Sequence, residues 1–273
     1  MSKRYAAVLT ALIDVMTAPL QPWRRADTRI RVANALMPAH AVATPRGTLN
    51  FISQHSEALQ FPREFAEREP ETLAWIDGFE TPCRFWDVGA NVGTYALYAA
   101  LHPKVAVLAF EPSPATYAAL ARNVEANHFG DRVAAYCIAL SADTRLGQLN
   151  MSATNAGNSF NSFESVEDCF GRPIDIAHRQ AMLGYSIDDF RRRFGLAAPH
   201  YLKIDVDGIE EQILIGAAET LADPDLRSAL VEIESDDTER NAGVIDKLAA
   251  VGFRLALRGA NHAGSTNAIF TRS

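Results

Sequence analysis

Two carboxylates follow apolar stretches at a spacing that suits a nucleoside-containing cofactor. Asp87 lies near the end of the stretch Phe85–Val88, the turn Gly89–Gly93 follows it, and Glu111 comes eighteen residues after that turn. In nucleotide-binding α/β folds, such glycines let the backbone approach the ligand, and an acid after the second strand accepts hydrogen bonds from ribose hydroxyls. We therefore predict a cofactor site at these two strand ends.

The turn also separates two cofactor classes. Asn91 stands where a dinucleotide-binding turn carries its middle glycine, which weakens the fit to a pyrophosphate. S-adenosylmethionine has no phosphate and carries an amine, which an acid such as Asp87 would bind. The turn thus favours S-adenosylmethionine. A nicotinamide dinucleotide, or a cofactor-free sheet in which Asp87 and Glu111 only cap the strands, stays open as an alternative.

A third charged group lies in the apolar stretch 200–205. The period of two along a strand puts Tyr201, Lys203 and Asp205 on one face. A lysine inside a sheet needs a counter-charge, and we predict that it pairs with Glu232 of the next apolar stretch. Asp205 would then face the crevice where open α/β sheets bind ligands. Asp205 is then the first candidate for a general base in this crevice, and Glu232 is the second choice.

Asp207 has a simpler interpretation. Glu210 follows it at the spacing of an N-terminal capping motif, so we predict a helix cap rather than a ligand. The alternative is that Asp205 and Asp207 together hold magnesium or calcium, because these hard cations prefer oxygen ligands. We assign no metal site.

A polar segment between the third and fourth apolar stretches offers groups that bind sugars. Its side chains are Asn155, Asn158, Ser159 and Asn161, interleaved with Phe160 and Phe163. Amides and hydroxyls bond vicinal hydroxyls, and the rings can stack on the apolar face of a sugar. We predict a substrate loop over residues 151–185, because so long a loop in a compact domain is usually functional. A plain polar surface loop is the alternative.

The elements that must position these groups alternate between strand and helix from residue 83 onward. Apolar runs predict strands near 84–88, 105–110, 133–140, 200–205, 228–234, 252–257 and 266–271. Helical spacing predicts helices near 93–101, 114–127, 209–221 and 238–250. Pro70 and Ser186 suit the starts of two further short helices. This alternation predicts an α/β fold, a seven-stranded and mostly parallel sheet with helices on both faces.

Composition and charge exclude several classes of protein. The chain has 273 residues, 48% apolar and 22% charged, which suffices for a full core and excludes disorder as the main state. Its net charge of −7 argues against a nucleic-acid partner. The apolar runs are too short for a membrane span. Cys83, Cys137 and Cys169 are odd in number and form no CxxC motif, which predicts a reducing, cytoplasmic location.

The first sixty residues differ in character from the rest. Residues 1–50 carry seven basic and two acidic side chains, and we treat residues 1–60 as a basic N-terminal arm. Val8, Leu12 and Val15 recur at helical spacing, and Asp14 interrupts what would otherwise imitate a signal peptide. We predict a helix that packs on the body or a partner chain. A peripheral contact of residues 1–35 with the inner face of the membrane is the alternative, and a homo-oligomer stays open.

Taken together, these motifs resemble the FkbM-type methyltransferase family. The resemblance spans roughly residues 69–234, and its pieces, in the family's order, are Asp87–Gly93, Phe110–Pro112, Ala139–Ser141, Ser186–Phe190, Lys203–Glu210 with Gly216, and Val231–Ile233. The family comprises S-adenosylmethionine-dependent, Rossmann-like enzymes. It is associated with O-methylation of sugar hydroxyls in glycolipids and polysaccharides and of polyketides.

The resemblance implies a class I methyltransferase domain over residues 61–273, with S-adenosylmethionine as its cofactor and Ser141 beside the adenine. The cofactor residues that it implies are Asp87, Gly89, Ala90, Asn91, Gly93, Glu111, Pro112 and Ser141. We predict an O-methyltransferase that acts on a sugar hydroxyl of a glycan or glycolipid. A NAD-dependent oxidoreductase and a non-catalytic binding protein on the same fold are the alternatives.

Overall fold

The computed structural model describes residues 2–52, 55–159, 161–167, 171–234, 238–260 and 264–272. Phe160 and Cys169, which enter the predictions above, lie outside these ranges. The chain forms two compact units, Met1–Ala39 and His40–Ser273. Residues 40–60, which the sequence suggested as part of the arm, therefore fold with the larger unit.

The smaller unit consists of two helices, α1 (Ser2–Thr17) and α2 (Pro22–Ala35). The apolar spacing of the first twenty residues predicted the first of them. Asp14 of α1 forms ion pairs with Arg25 and Arg29 of α2, and Thr17 is buried. Among the described residues, no helix has the length and apolar character needed to cross a bilayer.

The larger unit alternates strands and helices over most of its length. Its strands are β1 (Ala39–Thr44), β2 (Gly47–Ile52), β3 (Cys83–Val88), β4 (Val105–Phe110), β5 (Val133–Tyr136), β6 (Ala139–Leu140), β7 (Arg145–Met151), β8 (Asn161–Phe163), β9 (His178–Tyr185), β10 (Tyr201–Ile204), β11 (Ser228–Glu234), β12 (Phe253–Arg258) and β13 (Ser265–Arg272). Its α-helices are α3 (Gln60–Arg63), α4 (Phe65–Arg68), α5 (Pro70–Asp77), α6 (Thr94–Ala100), α7 (Pro114–Ala126), α8 (Ile187–Phe194), α9 (Glu210–Ile215), α10 (Ala218–Ala222) and α11 (Thr238–Ala250).

A seven-stranded sheet in the order β12-β13-β11-β10-β3-β4-β5 forms the centre of this unit. Strands β11, β10, β3, β4 and β5 pair in parallel, and β13 is antiparallel to both of its neighbours. The predicted seven-stranded, mostly parallel sheet is thus confirmed. The chain proceeds outward from β3 to β5 and returns to β10 on the other side of β3, so a crevice opens at the carboxyl ends of β3 and β10.

Apolar layers cover both faces of this sheet, as the predicted fold class requires. On one face, Phe85 and Val107 of the strands pack with Leu97 of α6 and Leu120 of α7. On the other face, the strands pack with α8, α9, α10 and α11 through Phe190, Leu214, Leu221 and Leu248, respectively. Burial of these side chains on both faces stabilises the sheet.

The segment predicted as a long substrate loop, residues 151–185, contains strands instead. A four-stranded sheet in the order β6-β9-β7-β8 includes β8 and β9 from this segment. The Phe163 ring covers two strand glycines, because a Cβ atom on Gly147 or Gly184 would lie 2.6 Å from it. The sequence of β9 lacks the alternation of apolar and polar residues that predicts a strand, because Met182 is its one large apolar side chain that is buried.

Two other predicted elements are divided. The strand expected at 133–140 becomes β5 in the large sheet and β6 in the small one, because residues 137 and 138 leave the ladder. The helix expected at 209–221 becomes α9 and α10, separated at Gly216, where a Cβ atom would lie 2.2 Å from the backbone oxygen of Ser141. Because the chain at Gly216 packs directly against the backbone of Ser141, only glycine fits at this position.

Asn123 of α7 and Asn127, which directly follows this helix, hydrogen-bond the backbone of β2, which explains why β2 belongs to the larger unit. Asn123 accepts a hydrogen bond from Ile52 N–H at 2.7 Å and donates one to the carbonyl oxygen of Val92 at 2.8 Å. Asn127 accepts from Asn50 N–H at 2.8 Å and donates to its carbonyl oxygen at 2.8 Å. The pair holds β2 beside the turn that follows β3.

We expect Asn123→Leu to destabilise the protein by roughly 1–3 kcal/mol, because the partners of a buried amide lose their hydrogen bonds while the volume is kept. Urea unfolding measures the loss. Glu125→Gln, at an exposed position of the same helix, is the matched control and should unfold like the wild type. Equal stability of the two variants would contradict the role given to Asn123.

Candidate active site

The turn between β3 and α6 brings the backbone close to the neighbouring strand. Gly89 has φ +80°, and a Cβ atom there would lie 1.8 Å from the backbone oxygen of Asp205. Gly93 has φ +91° and directly precedes α6. The amides of Gly89 and Ala90 donate to the carbonyl oxygen of Phe110, each at 3.0 Å. The predicted glycine turn is therefore present, and it needs glycine at Gly89 for both conformation and space.

Glu111 lies at the end of β4, as the spacing predicted. Its two carboxylate oxygens accept backbone hydrogen bonds from Asn91 at 3.0 Å and from Ser113 at 2.8 Å. Burial raises the pKa of Glu111 to about 8, although these two amides favour the charged form. Each oxygen keeps a second lone pair, so the side chain can still accept hydrogen bonds from ribose hydroxyls.

Asp87 is buried under the turn, with 1% of its surface exposed. Neither of its carboxylate oxygens has a hydrogen-bond partner in the part of the chain that the structure describes. Burial raises the pKa of Asp87 to about 6, against the attraction of Lys203. The amide of Ala96 also favours the charged form, although its geometry falls short of a hydrogen bond. A buried carboxylate without a partner has unused capacity to bind a cationic group.

Lys203 is the buried cation beside these acids, and its ion-pair partner differs from the one predicted. Its ammonium group forms an ion pair with Asp205 and lies 5.1 Å from the centre of the Tyr95 ring. Burial lowers the pKa of Lys203, but the attraction of Asp205, Asp87 and Glu69 outweighs it and raises the pKa above its usual value. The lysine therefore stays charged.

Glu232 does not pair with Lys203, because the register places Leu230 opposite that lysine. Its carboxylate instead accepts a hydrogen bond from the Ser265 hydroxyl at 2.5 Å. Burial, together with the repulsion of Asp205, raises the pKa of Glu232 well above its ordinary value. The predicted Lys203–Glu232 pair is thus wrong, and Asp205, expected to be unpaired, is the partner of the lysine.

Asp207 does not cap a helix. Helix α9 begins at Glu210, after Ile209, and no side chain caps it. The Asp207 carboxylate instead accepts a hydrogen bond from the backbone N–H of Asn161 at 2.9 Å. The predicted cap is wrong because tertiary contact with β8 provides a partner that the local pattern does not reveal. Ser186, by contrast, caps α8 as predicted and accepts from Asp189 N–H at 3.1 Å.

An open cleft brings several of the predicted cofactor and substrate residues together at the carboxyl ends of β3, β4 and β10. Its lining residues are Gly89, Asn91, Glu111, Pro112, Asn158, Ser159, Asn161, Asp205, Val206 and Asp207. A smaller, mostly apolar cavity adjoins it and shares Gly89, Pro112, Asn161 and Val206. The remaining walls of the smaller cavity include Phe110, Leu140, Leu149 and Phe163.

Several predicted residues lie outside this cleft. Asp87 at the end of β3 and Ala90 within the turn are both buried, and Gly93 packs against Leu120. Ser141, expected beside an adenine, is buried and donates its N–H to the carbonyl oxygen of Tyr185 at 2.8 Å. Its neighbours Ala139 and Leu140 line the apolar cavity instead. Asn155 and Glu232 line neither cavity.

A second set of polar residues near Lys203 was not predicted. Glu69, just before α5, is buried and accepts hydrogen bonds from Thr72 at 3.0 Å and from Asn267 at 2.9 Å. Burial and the repulsion of Asp205 raise its pKa. The one local signal is an acid directly before Pro70, which reads as an ordinary helix start. Only the packing of α5 against the sheet brings Glu69 close to Lys203.

Comparison with known proteins is consistent with this geometry. The family model of the methyltransferase FkbM domain matches residues 87–255, which is more than half of the chain. The 31-O-demethyl-FK506 methyltransferase FkbM of Streptomyces tacrolimicus is 29% identical over 172 residues, which cover 56% of this chain and 65% of that protein. Methyltransferase sdnD of Sordaria araneosa is 28% identical over 154 residues, covering 49% and 60%. This chain therefore spans less than two thirds of each relative.

A solved structure described as methyltransferase FkbM from Methylobacillus flagellatus KT matches with a TM-score of 0.48 and 14% identity, over 80% of this chain and 48% of that one. The family match points to S-adenosylmethionine as the methyl donor. Residues 87–255 include the glycine turn, Glu111 and Asp205, the same residues that build the cleft. The chain therefore belongs to the FkbM methyltransferase domain family.

Proposed function

We propose that this protein transfers a methyl group from S-adenosylmethionine to a hydroxyl of a carbohydrate, in a glycan or a glycolipid. The observation that carries the proposal is Asp87, whose two buried oxygens lack partners within the described residues. It directly precedes the turn whose residues Gly89 and Asn91 line the cleft together with Glu111 and Asp205. A dinucleotide would need donors for a pyrophosphate at this turn, whereas Asp87 provides a carboxylate. The donor set thus favours a cationic amino group.

The residues present fit S-adenosylmethionine. Asp87 would hold its ammonium group, Glu111 would accept hydrogen bonds from its ribose, and the apolar cavity beside Pro112 and Leu140 would take its adenine. Gly89 lets the backbone pass between this site and Asp205, where any Cβ atom would collide. When bound, the cofactor supplies a methyl group on a sulfonium centre that already makes it electrophilic.

The acceptor side of the cleft is polar. Asn158, Ser159 and Asn161 line it, and the described residues of its walls include no lysine or arginine. The Asn161 side-chain oxygen is buried and has no hydrogen-bond partner among the described residues, so it can accept a hydrogen bond from a bound hydroxyl. These groups suit a neutral acceptor with several hydroxyls better than an anionic one.

Asp205 is the base that we propose for the acceptor hydroxyl. One carboxylate oxygen pairs with Lys203, and the side chain remains 26% exposed at the cleft. A proton on the attacking hydroxyl can pass to this carboxylate as the new carbon–oxygen bond forms. The name of the Streptomyces relative, which specifies a 31-O-demethyl substrate, supports an oxygen acceptor.

We expect Asp87→Asn to weaken binding of S-adenosylhomocysteine by about tenfold to a hundredfold, the usual range for a hydrogen bond to a charged group. Because the pKa of Asp87 is about 6 in the free protein, wild-type affinity should fall as the pH drops below that value. The Asn variant should lack this fall. Isothermal titration calorimetry over a pH series measures both effects.

The control is Asp131→Asn, at an exposed position, which should bind like the wild type. Titration with NAD runs beside it. Binding of NAD without binding of S-adenosylhomocysteine would overturn the proposal in favour of an oxidoreductase. The acceptor class is tested with methyl-tritiated S-adenosylmethionine and a set of methyl glycosides and glycolipids. Label recovered in an O-methyl ether would support it, whereas label on nitrogen or carbon would contradict it.

A further inference from the structure

Helix α1 presents a continuous apolar face to solvent. Six of its large apolar side chains are between 54% and 71% exposed, and they are Tyr5, Val8, Leu9, Leu12, Val15 and Met16. At 100° per residue they fall within little more than a third of the circumference of the helix. A face of this size on a helix of 16 residues marks an interaction surface.

The opposite side of α1 is already occupied. Asp14 forms ion pairs with Arg25 and Arg29 of α2, and Thr17 is buried. The exposed face is therefore not the surface that joins the two helices. Helix α2 adds Trp23 and Ile30, which are 63% and 60% exposed and lie one heptad apart on a common side.

The smaller unit concentrates exposed apolar surface. Of the seventeen large apolar side chains that are exposed among the described residues, ten belong to Met1–Ala39. The other seven are spread over the much longer second unit. Among the described residues, the largest concentration of apolar surface that a second copy would offer is therefore the same smaller unit.

Charge disfavours pairing of the smaller units of two chains. Residues 1–39 contain six basic and two acidic side chains, a net charge of +4, so two such units repel each other. Arg24 lies against the Trp23 ring at 5.2 Å from its centre. An arginine beside a tryptophan on an amphipathic helical hairpin is the combination that binds the headgroup region of anionic lipids.

We propose that the N-terminal unit docks on an anionic lipid surface. The apolar face of α1 enters the boundary between headgroups and acyl chains, and Arg4 and Arg24 contact lipid phosphates. A helix that docks in this way lies parallel to the bilayer surface. No described helix has the length and apolar character needed to span the bilayer. The proposal does not depend on the enzymatic activity of the second unit.

The test is co-sedimentation of the full chain with vesicles of phosphatidylcholine, with and without phosphatidylglycerol. We expect binding only with phosphatidylglycerol, and weaker binding at high salt. The double variant Val8→Asp with Leu12→Asp should bind at least about tenfold more weakly, because it places charges in the apolar face. Arg4→Gln and Arg24→Gln should each weaken binding about fivefold. These two keep the apolar face and guard against a helix that fails to form.

Leu146→Asp is the matched control, because Leu146 is 84% exposed on β7 and should not affect vesicle binding. Three results would overturn the proposal. They are equal binding to both kinds of vesicle, equal binding of the wild type and the apolar-face variant, and no binding of the wild type to either kind of vesicle. In the last case, a dimer that light scattering detects and that dissociates in the Val8→Asp, Leu12→Asp variant would assign the apolar face to a second copy of the chain. Binding of S-adenosylhomocysteine should be unchanged throughout.

Discussion

Replacing Asp205 by asparagine is expected to lower kcat by roughly 10²–10⁴-fold, the usual contribution of a positioned general base. The variant keeps the size of the side chain and loses its capacity to accept a proton. Asp205 lines the cleft across the Gly89 turn from Asp87, so affinity for S-adenosylhomocysteine should change little. Single-turnover transfer of a tritiated methyl group, beside calorimetric titration, separates the two quantities.

Glu232→Gln distinguishes the two carboxylates that could act as this base. Glu232 lines neither cavity, accepts a hydrogen bond from Ser265, and has a pKa raised by burial well above its ordinary value. Because it lies outside both linings, it is poorly placed to take a proton from a bound hydroxyl. We expect a much smaller loss of turnover than for Asp205→Asn. The reverse order of effects would assign the base to Glu232, and unchanged turnover in Asp205→Asn would remove Asp205 from that role.

Lys203→Met is expected to destabilise the protein by about 3–5 kcal/mol, the typical cost of removing one partner from a buried ion pair. Methionine matches the length and apolar stem of lysine but leaves Asp87, Asp205 and Glu69 without their shared buried cation. Urea unfolding measures the loss. Lys247→Met is the control, because Lys247 pairs with Glu211 at 3.2 Å near the surface, where ion pairs contribute about 1 kcal/mol or less.

The loss of stability in Lys203→Met should increase as the pH rises. Without the lysine, the carboxylates take up protons more readily in the folded state, so their folded pKa values rise further above those of the unfolded chain. A raised folded pKa contributes stability below the unfolded pKa, and this contribution disappears as the pH rises through the folded pKa. The variant should therefore be closest to the wild type in acid. The difference should grow as the pH rises through the pKa of about 6 that Asp87 has in the wild type, and it should be largest above the higher pKa of the variant. A pH-independent difference would contradict the shared role of Lys203.

The positions of Asp87 and Glu111 followed from the sequence because they depend on local features. An apolar run, a glycine turn and a helix start occupy consecutive residues, and each forms under nearly the same rules in any parallel sheet. Six of the seven strands of the large sheet were correct within about two residues for the same reason. The exception was the run at 133–140, where two strands of different sheets follow each other without a turn signal.

Partner assignments within the site failed where they depended on register or on distant segments. Lys203 lies opposite Leu230 rather than Glu232, and a shift of two residues decides which acid it meets. Asp207 binds the backbone of β8, and Asn267 of the last strand binds Glu69 from near the start of the domain. A pattern read along one chain contains no information on such contacts between remote segments.

The sequence by itself determined the fold class, the glycine turn and the two acids at the ends of β3 and β4, because hydrophobic periodicity and turn chemistry are local properties of the chain. Only the tertiary structure decided that Asp205 shares Lys203 with Asp87, and that β8 carries Asn161 into the cleft. It also showed that the apolar face of α1 remains exposed. The physical reason is that burial and ion pairing depend on which surfaces meet, and this is settled only when the separate elements pack together.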